Sequence, residues 1–268
     1  MSAGFVIRRL LVALDLSSAA RSTLPEALRL ATRLHAEAEG LFVEDSRVMS
    51  AFAGQGLPSR HVSMVTGLPE TLDAGAMDAA LRAQSAMLSR HVSATATALR
   101  CRCELRTVRG SVAETLVSET DQDDLLVLSR RPGHVGATLA ATVRRMSAPV
   151  LVLPPGESIG QGRIVVIADS AGFLARGLEA AKRFANESDR PVEILLGPGV
   201  GTAEADLLSQ ASGLPVRITA AADGDADVSQ RIRSDTGLVI VSPENAALAG
   251  PKLTAFLVAA RMPVLLMR

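Results

Sequence analysis

Gly133 and Gly136 lie three residues apart in a turn that follows an apolar run and precedes a helical pattern. Glycines at such a turn let backbone N–H groups approach a phosphate, and a helix N-terminus adds a favourable dipole. Ordinary turn glycines account for the same residues. Asp15 closes another apolar run, Leu10 to Leu14. Its carboxylate could hold a ribose or an adenine edge, or it could cap the helix that follows, where the dipole favours negative charge. A second glycine-rich stretch, Gly197-Pro198-Gly199-Val200-Gly201-Thr202, also follows an apolar run and precedes a helix. It lacks the third glycine of G-x-G-x-x-G, at position 202, and has no P-loop lysine. A tight turn is the better reading.

Other residue types offer less. Cys101 and Cys103 are read on one face of a strand, as two reduced thiols. Two cysteines cannot build a disulfide framework or a four-thiolate metal site. His35, His61, His91 and His134 show no ligand spacing. Arg130, Arg131 and His134 form a small basic rim or a solvated turn. No Ser/His/Asp set, metal cluster or Walker lysine can be read, so no enzymatic activity is expected. Lys+Arg and Asp+Glu balance at 28 each, which argues against a nucleic-acid partner. The absence of Trp and Tyr argues against a base-stacking platform. There is no apolar stretch of about 18 residues for a membrane span and no signal-peptide pattern. A cytoplasmic protein with no membrane partner is expected.

The elements that must position these residues come from a repeated unit. Gly136 to Leu153 is a glycine, a helix, a proline and an apolar run; Gly250 to Met267 repeats that layout. The glycine precedes the proline by thirteen residues in both, Gly136 to Pro149 and Gly250 to Pro263. Apolar positions Leu139, Val143 and Met146, and Leu253, Phe256, Leu257 and Ala260, trace one buried helical face. Upstream, Leu10–Leu14 reads as a strand buried on both faces. A helix follows through Leu24, Ala27, Leu28, Ala31 and Leu34, with Pro25 in its first turn or kinking it. Strands are expected at 39–43, 101–108, 124–128 and 150–153, and helices at 76–99, 112–120 and after Gly136. Residues 44–74 read as a long surface loop. The sum is five strands and four helices, a doubly wound parallel sheet.

Pro154 to Gly162 reads as a linker, after which the pattern restarts. Residues 164–168 lead to Asp169 as 10–14 lead to Asp15. Leu24 and Leu178 each lie nine residues after their aspartate, and Arg29 and Arg183 fourteen after. Further strands are expected at 192–196, 216–219, 238–241 and 264–267. Two units are therefore expected, residues 1–156 and a shorter, diverged one at 162–268, each with its own five-stranded sheet. Both final strands are short and wholly apolar. They are expected to pair with one another and join the halves about a pseudo-twofold axis.

In the first half the chain resembles the universal stress protein family. The motifs are Ala13-Leu14-Asp15-Leu16-Ser17, Leu24 to Ala31 (LPEALRLA), Phe42-Val43, Gly110 to Val117 (GSVAETLV), Asp124 to Arg130 (DLLVLSR) and Pro149 to Leu153 (PVLVL), in family order. The resemblance implies an adenine nucleotide alpha hydrolase-like α/β fold with strand order 3-2-1-4-5. It also implies a role in stress response or signalling and homodimerisation. Many members bind ATP through G-x2-G-x9-G-[S/T], and in them Asp15 and the backbone at Val43 match adenosine contacts. This chain departs from the pattern. Gly136 cannot serve as both second and third glycine, Ala137 stands at the Ser/Thr position with Thr138 after it, and in the second half Pro251 follows Gly250. The candidate cofactor-binding residues are therefore Asp15, Val43, Gly133, Gly136, Ala137 and Thr138. No cofactor is assigned firmly, and ATP or AMP is the candidate for the first half. The expected function is binding of a protein partner with nucleotide binding weak or lost. The alternative is a protein whose bound nucleotide controls its conformation or partner binding.

Overall fold

The structure is a computed structural model. It describes residues 5–15, 17–45, 60–62, 69–71, 74–130, 137–159, 162–185, 190–197, 199–219 and 232–268. The first half runs β1 (Arg9–Leu14), α1 (Ser18–Leu34), β2 (Glu37–Asp45), β3 (Arg60–Val62), β4 (Pro69–Thr71), α2 (Ala74–Ala98), β5 (Glu104–Gly110), α3 (Val112–Ser118), β6 (Asp124–Ser129), α4 (Ala137–Arg145) and β7 (Val150–Leu153). The second runs β8 (Arg163–Ala168), α5 (Ala171–Ala185), β9 (Val192–Leu196), α6 (Thr202–Ser212), β10 (Val216–Thr219), β11 (Thr236–Val241), a 3-10 turn (Ala246–Leu248), α7 (Pro251–Ala259) and β12 (Val264–Leu266).

The strands form one continuous ten-stranded sheet, in the order β10-β9-β8-β11-β12-β7-β6-β1-β2-β5. Each half contributes the order 3-2-1-4-5, with parallel pairing throughout. The halves meet where β12 pairs antiparallel with β7: Val264 with Val152, Leu265 with Leu151, Leu266 with Val150. The apolar runs that read as edge strands thus cover each other's backbone groups, and two expected sheets become one. Because β7 and β12 run in opposite directions, the carboxyl ends of the two sets of strands lie at opposite edges of the sheet.

Both faces are covered, which is why the strands read as unbroken apolar runs. On one face Leu10, Val12, Leu151 and Leu265 pack with Leu24 and Leu28 of α1 and Leu174 and Leu178 of α5. On the other Leu11, Leu126, Val150 and Val264 pack with Val143 of α4 and Phe256 and Leu257 of α7. Pro25 lies inside α1, where its ring removes one i→i−4 hydrogen bond. The stretch 44–74, read as loop, contains the β3–β4 antiparallel hairpin, and much of the remainder lies outside the described residues.

At the amino ends of the strands the halves carry matching charge networks. Arg9 donates to Glu39 at 2.7 Å and to Asp124 at 2.5 and 3.0 Å, and Arg106 donates to the other Glu39 oxygen at 2.5 Å and to Glu119. In the second half Arg163 donates to Glu193 at 2.6 Å and to Asp235 at 2.5 Å, while Thr219 donates to the other Glu193 oxygen at 3.1 Å. The registers agree: Leu11 opposes Glu39, and Val165 opposes Glu193.

Candidate functional site

Strand order 3-2-1-4-5 reverses direction between strands 1 and 4, and the connections there leave to opposite faces. A crevice opens at their carboxyl ends, the usual ligand position in open α/β sheets. In the first half this is the end of β1 beside β6. Asp15 follows β1 directly. Its Oδ1 accepts from the Ser17 N–H at 2.7 Å, and Ser17 Oγ accepts from the Ala20 N–H at 3.1 Å as the N-cap of α1. The carboxylate therefore helps shape the entry into α1. Val43 lies on β2 one residue past the Leu14–Phe42 pair, so its backbone stands beside Asp15. The family-derived adenosine contacts, Asp15 and Val43, are thus brought together.

The phosphate side is different. Gly133 and Gly136 fall outside the described residues, while Ala137 and Thr138 are the first two residues of α4. β6 ends at Ser129 and α4 begins at Ala137, so seven residues, 130–136, make the whole connection. At its start the Arg130 N–H donates to the Leu153 carbonyl at 2.8 Å, and the guanidinium reaches over the seam to the Val258 carbonyl near the end of α7. Its Nε is buried without a hydrogen-bond partner among the described residues, and burial holds the guanidinium pKa below its ordinary value.

At the second crevice, at the ends of β8 and β11, the chain bonds to itself. Asp169 Oδ2 accepts from the Ala246 N–H at 3.2 Å, tying the end of β8 to the turn after β11. That turn is locked by Asn245, whose Oδ1 accepts from the Ala247 N–H at 3.0 Å, and by Leu248, buried under it. From the other side the Gly197 N–H donates to the Ala168 carbonyl at 2.6 Å. Gly199 lies so close that a Cβ there would stand 2.2 Å from the Asp169 carbonyl oxygen. Gly197 and Gly199 are thus packed closely against the end of β8, ahead of α6. Gly250, at φ 63°, precedes α7, and Pro251 opens that helix without an N–H to offer.

Cys101 and Cys103 stand before β5, not on it. Cys103 is buried and Cys101 half-buried, both as free thiols, and burial pushes the Cys103 thiol up to about 11. Among the described residues no three His, Cys, Asp or Glu side chains gather in a way that could hold a metal ion, and no helix is long and apolar enough to cross a membrane. Sequence reasoning missed the Asp169–Ala246 tie. Ser242 and Asn245, both turn-forming types, were the signal for the turn, but nothing in the sequence pointed to its partner.

No family model and no curated protein matches the chain. Solved structures do. A universal stress protein from Archaeoglobus fulgidus DSM 4304 superposes with a TM-score of 0.68 at 14% identity, over 99% of this chain and 97% of that one. The chain has the universal stress protein fold. A functionally unknown protein from Pseudomonas aeruginosa PAO1 follows at TM-score 0.54 and 14% identity, covering 97% and 92% of the two chains. A putative universal stress protein from Pseudomonas aeruginosa UCBPP-PA14 gives 0.52 and 15%, over 97% and 93%. At these identities the universal stress protein likeness is one of fold, and it extends over both halves.

Proposed function

We propose that this is a non-catalytic, cytoplasmic stress-response or signalling protein that works by binding a protein partner, with adenine nucleotide binding weak or lost. The observation that carries this reading is the length of the β6–α4 connection. Residues 130–136 are shorter than the pattern G-x2-G-x9-G-[S/T] through which many universal stress proteins bind ATP. Too few backbone N–H groups remain to surround a triphosphate. The second crevice offers no evident replacement, because Gly199 crowds the Asp169 backbone and the Ala246 N–H takes up its carboxylate. In this reading residues 1–156 and 162–268 are two diverged copies of one unit. Any homodimer uses a surface other than β7 and β12, which are already paired.

One observation favours a second reading. Asp15 and Val43 stand side by side at the first crevice, so an adenosine-bearing ligand such as AMP or ATP could still be held by its nucleoside end. The deciding experiment is acid extraction of protein purified from cells, with adenine nucleotide measured by absorbance and mass. The proposal expects none in stoichiometric amount and no ATP hydrolysis. A stoichiometric nucleotide, or turnover that follows the protein through purification, would overturn it.

A further inference from the structure

The segment between the halves is composed like a loose linker but is built like a strap. Within it Ile159 is fully buried, in the same core as Leu24, Leu28 and Leu34 of α1 and Leu178 and Phe184 of α5. Its end is fixed by Gly162, at φ 79°, where a Cβ would stand 2.4 Å from the Asp235 carbonyl oxygen. Between them reaches Arg190, only 6% exposed. Its Nε donates to the Gly162 carbonyl at 2.9 Å, and its Nη1 to the carbonyls of Ile159 at 3.1 Å and Phe184 at 3.4 Å. One guanidinium thus ties Ile159 and Gly162 of the strap to the end of α5. Beside it Arg183, on α5, donates to the Leu34 carbonyl at the end of α1 at 2.6 Å, a bond from the second half to the first. Burial, and then the charge of Arg33 on α1, pull the Arg190 guanidinium down to about 10. A buried cation of this kind persists where carbonyls replace its lost water, and helix C-termini provide such carbonyls.

We propose that Arg190 is a buckle that closes the 154–162 strap, so that the two halves open as one cooperative unit and do not hinge about the linker. A hinge would need the strap free to change its backbone angles. Here a buried side chain, a crowded glycine and two carbonyl bonds hold it, and a third bond anchors Arg190 to α5.

Hydrogen exchange on the unmodified protein tests this first. The Arg163 and Ile164 amides, which donate to the Asp235 and Pro191 carbonyls at 3.1 and 3.0 Å, should exchange only through global unfolding, with the protection of Val166 in mid-strand. Exchange of those two amides by local opening would overturn the proposal without any variant. In Arg190→Met, cleavage after the exposed Glu157 by a glutamyl endopeptidase should accelerate by about tenfold or more. Urea unfolding should split into two transitions, and Arg190→Lys should recover part of both. A destabilised Arg190→Met that keeps one transition of unchanged slope and wild-type cleavage would reduce Arg190 to a local packing residue and sink the buckle.

Discussion

At the carboxyl end of β1, Asp15 turns back on its own chain and accepts from the Ser17 N–H; at the carboxyl end of β8, Asp169 reaches across and accepts from the Ala246 N–H. Both aspartates sit where the strand order reverses, after matching runs of apolar residues. What separates the two crevices is the loops. In the first half the connection after β6 is short, and Val43 lies within an unbroken β2. In the second, glycines replace that strand extension and bring the backbone against Asp169, while the turn after β11 closes from the other side. One strand order therefore supports one crevice that brings Asp15 and Val43 together and another in which backbone turns close on Asp169. The sheet places a site, and the loops decide whether it exists.

The largest expected effect lies on the seam that holds the two crevices at opposite edges of the sheet. Leu151 and Leu265 face one another there, each fully buried. Leu151→Lys or Leu265→Lys places a charge in that seam and should cost about 4 kcal/mol or more in urea unfolding, or separate the halves in a hydrodynamic measurement. If both leave melting temperature and radius unchanged, the seam is not what joins the halves.

Next in size is the closed crevice. Gly199→Ala forces a methyl group onto the Asp169 carbonyl and should cost about 3 kcal/mol. A substitution tolerated without loss would mean that the second crevice has room to spare, and the contrast between the halves would weaken.

A third difference is chemical. Cys103 precedes β5 where Val216 opens β10, at the same register, since Glu104 opposes Glu39 as Arg217 opposes Glu193. Burial raises the Cys103 thiol from 9.0 to about 11. Between those values the unfolded thiol ionises while the folded one stays neutral. Its contribution is therefore full below pH 9.0 and is lost as the pH rises through about 11. The alkaline loss should be at most about 2.7 kcal/mol, less what solvent screening removes, and should vanish in Cys103→Val. An unchanged alkaline slope in that variant would show that the thiol is not the group responsible.

The smallest effect tests the tie itself. Asp169→Ala removes one largely exposed hydrogen bond and should cost about 0.5 kcal/mol, without any change in response to nucleotide. A nucleotide response altered by this variant would show that the second crevice is a working site.

Much of the fold was legible because apolar runs such as Leu10–Leu14 and Ile164–Ile167 are long enough to need burial on both faces, and their spacing repeats. The pairing of β7 with β12 was legible for a related reason: two short apolar edges have few other ways to be covered. The charge networks were not. Glu39, Arg106 and Glu119 are distant in sequence and meet only because the β2–β5 register places them together. Ile159 was read as linker because composition marks a turn but does not reveal which one of its residues is buried. The cysteines were assigned to a strand by alternation, yet β5 begins at Glu104, one residue beyond them. At the site, Asp15 beside Val43 followed from the motif. The closing of the second crevice did not, because it depends on a contact between Asp169 and Ala246, seventy-seven residues apart.

The measurement that bears most directly on the account is a calorimetric titration of ATP into the intact protein, repeated with Asp15→Ala and Asp169→Ala. The account predicts no binding in the micromolar range. Any weak residual affinity should be lost in Asp15→Ala and kept in Asp169→Ala. A micromolar or tighter dissociation constant for the unmodified protein would contradict it, and so would a residual affinity that depends on Asp169.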